Sequence, residues 1–417
     1  MRLIKPSAIK GTVAAPRSKS MTVRAAAAAL LAKGTSRIRH ASLCDDGLAA
    51  FAIAAGMGAV VSRGRVETLV RSQGIHAQNG EKHRIDCGES GLAMRMFAPI
   101  AALLRGETVL EASGSLRSRP MEMVDALRGL GVSCATDYGR PPIVVRGPLE
   151  GGHIVVDASL SSQFLTGLLM ALPLCGKNSR VSVSRLTSAP YVRMTLGLLA
   201  AFGVTIGYDD LLTEFTVQGN QAYRPSTYTI EGDWSGAAFL LVAGAIGGSV
   251  AVKGLPIPSI QADSGVLEAL KMAGARVTMG RHSVSVERHN LSPFVFDATH
   301  CPDLFPPLVS LAACCEGRSV ILGARRLVHK ESDRANALKE EFAKMGITIR
   351  IEEDRMEVSG GAVRGGVVDS HNDHRIAMAC AVAALRAQGE VAIARPESVA
   401  KSYPRFFEDL EALTVGL

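Results

Sequence analysis

The sequence is poor in several features, and each shortage removes a class of function. Its eight cysteines (Cys44, Cys87, Cys134, Cys175, Cys301, Cys314, Cys315 and Cys380) form no CxxC pair and have no histidine at metal-ligand spacing. That pattern excludes a zinc ribbon or dithiol motif, predicts reduced thiols in a cytoplasmic core and gives no metal site. Aromatic residues are 5% of the chain, with one tryptophan, and no run of basic residues occurs. Single-stranded nucleic acid needs stacking platforms and charged tracts, so no nucleic-acid partner is expected. No GxxxxGK[ST] loop is present for a nucleotide. The longest apolar window, residues 236–252, is broken by Gly247-Gly248-Ser249, which predicts a buried helix running into a strand and no membrane span. The first residues, MRLIKPSAIKG, lack the apolar core of a signal peptide and read as a strand entering a turn, so no export is expected.

What remains is a well-cored chain of 417 residues, 47% hydrophobic and 20% charged, long enough for two domains. Its 46 Lys and Arg against 39 Asp and Glu leave +7, a balance that suits a small anionic substrate.

One phrase recurs: an amphipathic helix, a glycine, then a β-rich run. It reads AAFAIAAGMGAVV, MVDALRGLGVSC, TLGLLAAFGVTI, VLEALKMAGARVTM and ALKEEFAKMGITIRI, and its glycines, 58, 131, 203, 274 and 346, lie 71 to 73 residues apart. Glycine there is the usual left-handed stop of a helix, and constant spacing marks a structural repeat. A sixth copy without the glycine, FFEDLEALTVGL, ends the chain. Three units then fill each half. The first strand could serve either half. Assigning it to the second gives domains of residues 17–229 and of 1–16 with 230–417, joined by two crossings that make a hinge natural, with the active site expected in the cleft between them.

Each period also holds an earlier helix, beginning in a polar turn and continuing almost entirely apolar: SKSMTVRAAAAAL, GESGLAMRMFAPI, SSQFLTGLLMAL, DWSGAAFLLVAGA, PDLFPPLVSLAA and NDHRIAMACAVAA. Such helices pack inward, with their N-termini towards one place. Cations at a helix N-terminus oppose its dipole, so Lys19 and Arg24 ahead of five alanines call for an anion to offset them. The groups at these helix starts and nearby loops are Lys19, Ser20, Arg24, Arg95, Arg117, Arg119, Ser161, Ser162, Gln163 and Ser188 in the first half. In the second they are Asp303, Lys330, Glu331, Arg334, His374, Arg375 and Lys401. Arginine grips carboxylate or phosphate bidentately and lysine serves as a point charge. This inventory fits two phosphorylated or carboxylated small molecules, with Asp303 and Glu331 left for proton transfer. In LVHKESDRANAL, Lys330 and Arg334 are expected to share one helix face, with Glu331 turned elsewhere.

The motifs SKSMTVR (18–24), GESGLAMR (88–95), RSRP (117–120), SSQFLTGLLM (161–170), TSAPYVRMTL (187–196), PDLFPPL (302–308), KESDR (330–334), NDHRIAMA (372–379) and KSYPRFFEDL (401–410) resemble, in order and across nearly the whole chain, those of the EPSP synthase family. The resemblance implies an α/β fold, a two-domain inside-out α/β barrel of the enolpyruvyl transferase type with three βαβαββ units per domain. It implies transfer of the enolpyruvyl group of phosphoenolpyruvate to the 5-hydroxyl of shikimate 3-phosphate, through a tetrahedral intermediate, by a monomer with no metal or organic cofactor. By the same resemblance Ser20 and Arg24 hold the shikimate carboxylate, Ser161, Ser162, Ser188 and Lys330 its phosphate, Tyr191 its ring and Asp303 its hydroxyls, with Gln163 between the ligands. Arg334 and Arg375 hold the phosphoenolpyruvate carboxylate. Lys19, Gly91 and Lys401 lie near its phosphate, with Arg117 a further candidate. Glu331, Lys19 and Asp303 are the proton-transfer candidates, beside His374.

The sequence departs from that pattern at Glu89 and Leu92, where the family carries Asn and Thr. Ser115 replaces an arginine, Arg326 an asparagine and Ala189 a basic residue. The departures keep open a carboxyvinyltransferase acting on another anionic alcohol and, more remotely, a non-catalytic anion-binding or RNA-end-binding relative.

Overall fold

A computed structural model describes residues 1–75 and 82–415. The chain forms two compact units, Arg17–Ile230 and Met1–Pro16 with Glu231–Leu417, and passes from one to the other twice.

In the Arg17–Ile230 unit the helices are α1 (Lys19–Leu31), α2 (Asp45–Gly56), α3 (Gly91–Ala101), α4 (Gln163–Ala171) and α5 (Ala189–Ala201). The other unit holds α6 (Trp234–Gly247), α7 (Val266–Met272), α8 (Phe305–Ala313), α9 (Arg334–Lys344), α10 (His374–Ala384) and α11 (Phe406–Glu411). The inside-out expectation holds. All residues of α3, α6, α8 and α10 are buried, as are α1 from Met21 and α4 from Phe164. The strands form six separate open sheets, and none closes into a barrel among the described residues. The broken apolar window is α6 running directly into the strand Gly248–Lys253, and no described helix is long and apolar enough to cross a membrane.

The repeat is visible in the strand order. His153–Asp157 lies parallel to Ser179–Ser184 with α4 between them, followed by Glu214–Val217 and Gly207–Tyr208 in antiparallel order. Val295–Asp297, Gly317–Leu322, Arg355–Gly360 and Thr348–Glu352 repeat this order around α8. Where the chain crosses between units the pattern is completed by a distant strand. Thr227–Thr229 pairs with Gly34–Arg39, and Ala8–Ala14 pairs with Gly248–Lys253 on one side and Thr414–Val415 on the other. Arg2–Ile4 adds to Val391–Ala394 in the last unit.

The five repeat glycines all stop their helices in the left-handed region, with φ from 79° to 95°. Two local readings need correction. Glu122–Leu130 is a 3-10 helix, with no side-chain cap at Met121 and Gly129 near its end. In KESDR the helix starts only at Arg334, because the Asp333 side chain accepts from the Asn336 N–H and fixes the N-terminus there. Lys330 and Arg334 therefore do not share a helix face.

Close helix packing sets up the site. A Cβ on Gly167 of α4 would stand 2.2 Å from the Met96 carbonyl oxygen of α3, so only glycine permits this approach. At the N-terminal ends of the same two helices, Arg95 Nη1 then reaches Gln163 Oε1 at 2.8 Å.

Candidate active site

In the Arg17–Ile230 unit, capping serines fix two helix starts. Ser18 accepts from the Met21 N–H ahead of α1, and Ser90 from the Ala93 N–H ahead of α3. Arg24, one turn into α1, is 1% exposed. Its Nε donates to Thr195 Oγ1 at 3.0 Å, Nη1 to the Ser20 carbonyl at 3.0 Å and Nη2 to the Tyr191 carbonyl at 3.3 Å. All three partners are neutral, and burial lowers the guanidinium to about 10. A buried cation without a carboxylate is set to receive one. Ser188 stands at the N-cap position of α5 in a left-handed conformation, and Ser161 Oγ accepts the Gln163 N–H at 3.1 Å. Lys19 meets Asp46 of α2 at 2.9 Å.

Gly91 opens α3 between two buried arginines. A Cβ there would lie 2.5 Å from Arg119 Nη1 and 3.4 Å from Arg95 Nη1. The helix N-terminus and two guanidiniums bring positive charge to one place, the chemistry that suits an anion. Arg117 is exposed and its Nε donates to the Ala112 carbonyl at 3.1 Å, while Arg119, two residues on, is buried.

In the other unit one carboxylate collects three cations. Asp303 accepts from Arg334 Nη1 at 2.9 Å, Arg375 Nη2 at 3.0 Å and Lys330 Nζ at 3.4 Å. Burial alone would raise its pKa, but Arg375, Lys330 and Arg334 outweigh burial and hold it well below the usual carboxylate range. Arg334 is 0% exposed. It also pairs with Glu331, and its Nε donates to Asp373 Oδ2 at 3.0 Å. Against the burial penalty, Asp373, Glu331 and Asp303 push its pKa up. Arg375 Nη1 is buried without a partner, a donor pointing to an anion. Lys330 is lowered to about 8 by burial, partly offset by Asp303. Lys401 Nζ donates to the Asn372 carbonyl at 2.7 Å. His374 is 1% exposed, its Nδ1 3.8 Å from Asp373 Oδ1.

A family model for EPSP synthase (3-phosphoshikimate 1-carboxyvinyltransferase) matches residues 3–410. The chain belongs to this family. It is 40% identical over 413 residues to a 3-phosphoshikimate 1-carboxyvinyltransferase of Thermococcus kodakarensis, covering 99% of each chain. A protein of the same name from Methanosarcina acetivorans is 40% identical over 428 residues, covering 99% of this chain and 98% of its own. Among solved structures, EPSP synthase from Acinetobacter baumannii superposes with a TM-score of 0.81 at 27% identity, covering 99% of this chain and 98% of that one.

Within this EPSP synthase frame the departures are locally satisfied. Glu89 and Ser115 meet each other: Glu89 Oε2 accepts from the Ser115 N–H at 2.9 Å and hydroxyl at 2.8 Å. Leu92 is buried in the core, Arg326 Nη1 donates to the Thr299 carbonyl at 3.0 Å, and Ala189 is the first residue of α5. Sequence reasoning missed the acidic partners: Asp46 beside Lys19, Asp373 beside Arg334, and Asp263, which pairs with Ser235 and is raised to about 6 by burial and then by Asp303. Asp373 carried a signal, since it stands at the N-cap position inside NDHR; Asp263 carried none.

Proposed function

We propose that the two groups of residues serve one reaction: transfer of the enolpyruvyl group from phosphoenolpyruvate to the 5-hydroxyl of shikimate 3-phosphate, with release of phosphate. Arg24 and Ser20 take the shikimate carboxylate, Tyr191 flanks its ring, and Ser161, Ser162, Ser188 and Lys330 take its phosphate. Gln163, held by Arg95, spans the two ligands. Arg334 and Arg375 take the phosphoenolpyruvate carboxylate, and Lys19, Arg95, Arg119, Lys401 and the α3 N-terminus at Gly91 take its phosphate.

The 5-hydroxyl oxygen attacks C2 while an acid protonates C3, giving the tetrahedral intermediate. Loss of a C3 proton with the C2–O bond to phosphate then restores the double bond. Asp303 accepts the hydroxyl proton and Glu331 handles the C3 proton, with Lys19 a further candidate for proton transfer. The buried His374 holds the first turn of α10. Three cations make Asp303 a weak base on its own. A substrate carboxylate that engages Arg375 and Arg334 weakens this stabilisation and raises the Asp303 pKa towards a useful range. The observation that carries the reading is Arg375, whose Nη2 holds Asp303 while its buried Nη1 has no partner. Reduced thiols support a cytoplasmic enzyme. The same reading has it working as a monomer, without nucleic acid or cofactor.

The test is phosphate release from phosphoenolpyruvate with and without shikimate 3-phosphate, with Lys19→Ala as control. Release is expected only with both ligands and is lost in the variant; release without the acceptor would sink the assignment.

Lys330 gives a pH signature. It binds phosphate only when protonated, and burial brings it to about 8 in the free enzyme. The kcat/KM for shikimate 3-phosphate, which reports the free enzyme, should therefore fall about tenfold per pH unit on the alkaline side. Lys330→Arg should remove that limb. A limb that persists unchanged would assign it to another group.

A further inference from the structure

Between the strand Gly366–Asp369 and α10 the chain turns through Ser370, His371 and Asn372. His371 and Asn372 are consecutive left-handed residues, with φ of 52° and 55°. Two such non-glycine residues in succession are costly and persist only where the surroundings over-determine them, most often at functional sites.

The surroundings here do so. Asp369 Oδ1 accepts the His371 N–H at 2.8 Å and Arg395 Nη2 at 2.6 Å, while Ser370 Oγ accepts the Asn372 N–H at 3.1 Å. The His371 ring meets Glu341 of α9, with Nε2 2.6 Å from Oε1. The Glu341 side chain is 1% exposed. The same helix begins at Arg334, which grips Asp373 just beyond the turn, so α9 clamps the turn at both ends. What the clamp presents is the Asn372 carbonyl, which receives Lys401 Nζ.

Glu340, Glu341 and His371 lie close enough together to hold a cation. However, Lys344 Nζ covers both Glu341 oxygens at 2.8 Å, and the Asp369 N–H takes Oε2 at 2.7 Å. The carboxylate is saturated by donors, so the cluster is a tether rather than a metal site.

We propose that His371 is a positioning residue: its ring ties the turn to Glu341, so that the Asn372 carbonyl orients the Lys401 ammonium towards phosphoenolpyruvate. This rests on the reading that Lys401 meets that ligand.

The test is steady-state kinetics of the full chain with four variants. His371→Asn keeps a residue that tolerates the left-handed backbone but is too short to reach Glu341. His371→Gln restores a donor of similar reach. Lys401→Ala and the double variant His371→Asn/Lys401→Ala complete a cycle. His371→Asn should raise KM for phosphoenolpyruvate about tenfold, with kcat, KM for shikimate 3-phosphate and Tm little changed. His371→Gln should recover most of the loss, and His371→Asn should add nothing once Lys401 is gone. An unchanged KM, a fall confined to Tm, or full additivity in the double variant would overturn the inference. If Lys401→Ala itself leaves KM for phosphoenolpyruvate unchanged, the reading of Lys401 fails and takes the inference with it. An effect of Lys401→Ala beside a silent His371→Asn defeats the inference alone.

Discussion

Glu331→Gln is expected to lower kcat by about a thousandfold while phosphoenolpyruvate affinity stays within a few-fold, because a positioned acid or base contributes roughly 10²–10⁴. The amide keeps the size of the side chain and can still accept a hydrogen bond from Arg334, its partner in the free enzyme. Arg334 keeps Asp303 and Asp373. The arginine proposed for the substrate carboxylate therefore stays in place, and only the exchangeable proton is lost. Single-turnover measurements with equilibrium binding separate the two effects. Equal losses in affinity and rate would mean that Glu331 acts by holding Arg334, and unchanged turnover would remove it from the mechanism.

Arg24→Met should divide function from stability in the opposite sense to a core substitution. The KM for shikimate 3-phosphate is expected to rise about a hundredfold, the worth of a lost charge-assisted pair. Tm should stay level or rise. Arg24 is a buried cation with neutral partners only, and burial already lowers its pKa to about 10. An apolar side chain of similar volume relieves that cost, while Thr195 Oγ1 keeps its contacts with Thr166 and the Tyr191 carbonyl. Arg334→Met is the contrast. It strands Asp303, Glu331 and Asp373 around a missing cation, and breaking a buried pair costs about 3–5 kcal/mol. Thermal unfolding of both variants checks the pair of signs. A large loss of Tm in Arg24→Met would show that Arg24 is structural.

The repeat was legible because its signal is a backbone requirement. A glycine after each second helix reports a left-handed stop, and all five glycines adopt it. The inner helices were legible because nearly unbroken apolar runs can only be buried. Local geometry that depends on a single cap was not: KESDR has helical spacing, yet the Asp333 side chain starts the helix at Arg334. RSRP shows the same limit, since nothing in the spacing of two arginines says which one turns towards Gly91. The acidic partners stayed hidden for a different reason. Asp46 and Lys19 belong to different helices, and Arg334 meets Asp303 and Asp373 from elements far apart in the sequence. A count of cations over carboxylates pointed to an anion site, but the free enzyme spends much of that positive charge internally.

The two crossings of the chain also govern its synthesis. The Arg17–Ile230 unit is continuous, and its last strand, Thr227–Thr229, emerges just as that unit ends. The other unit's second strand is Ala8–Ala14, whose neighbours are Gly248–Lys253 and Thr414–Val415. That early strand leaves the ribosome with both edges unpaired and waits through the making of the whole intervening unit, a long exposure for a strand edge. Topologically, one domain is inserted into another, and the host sheet is complete only after the inserted unit and the strand Thr414–Val415 have been made.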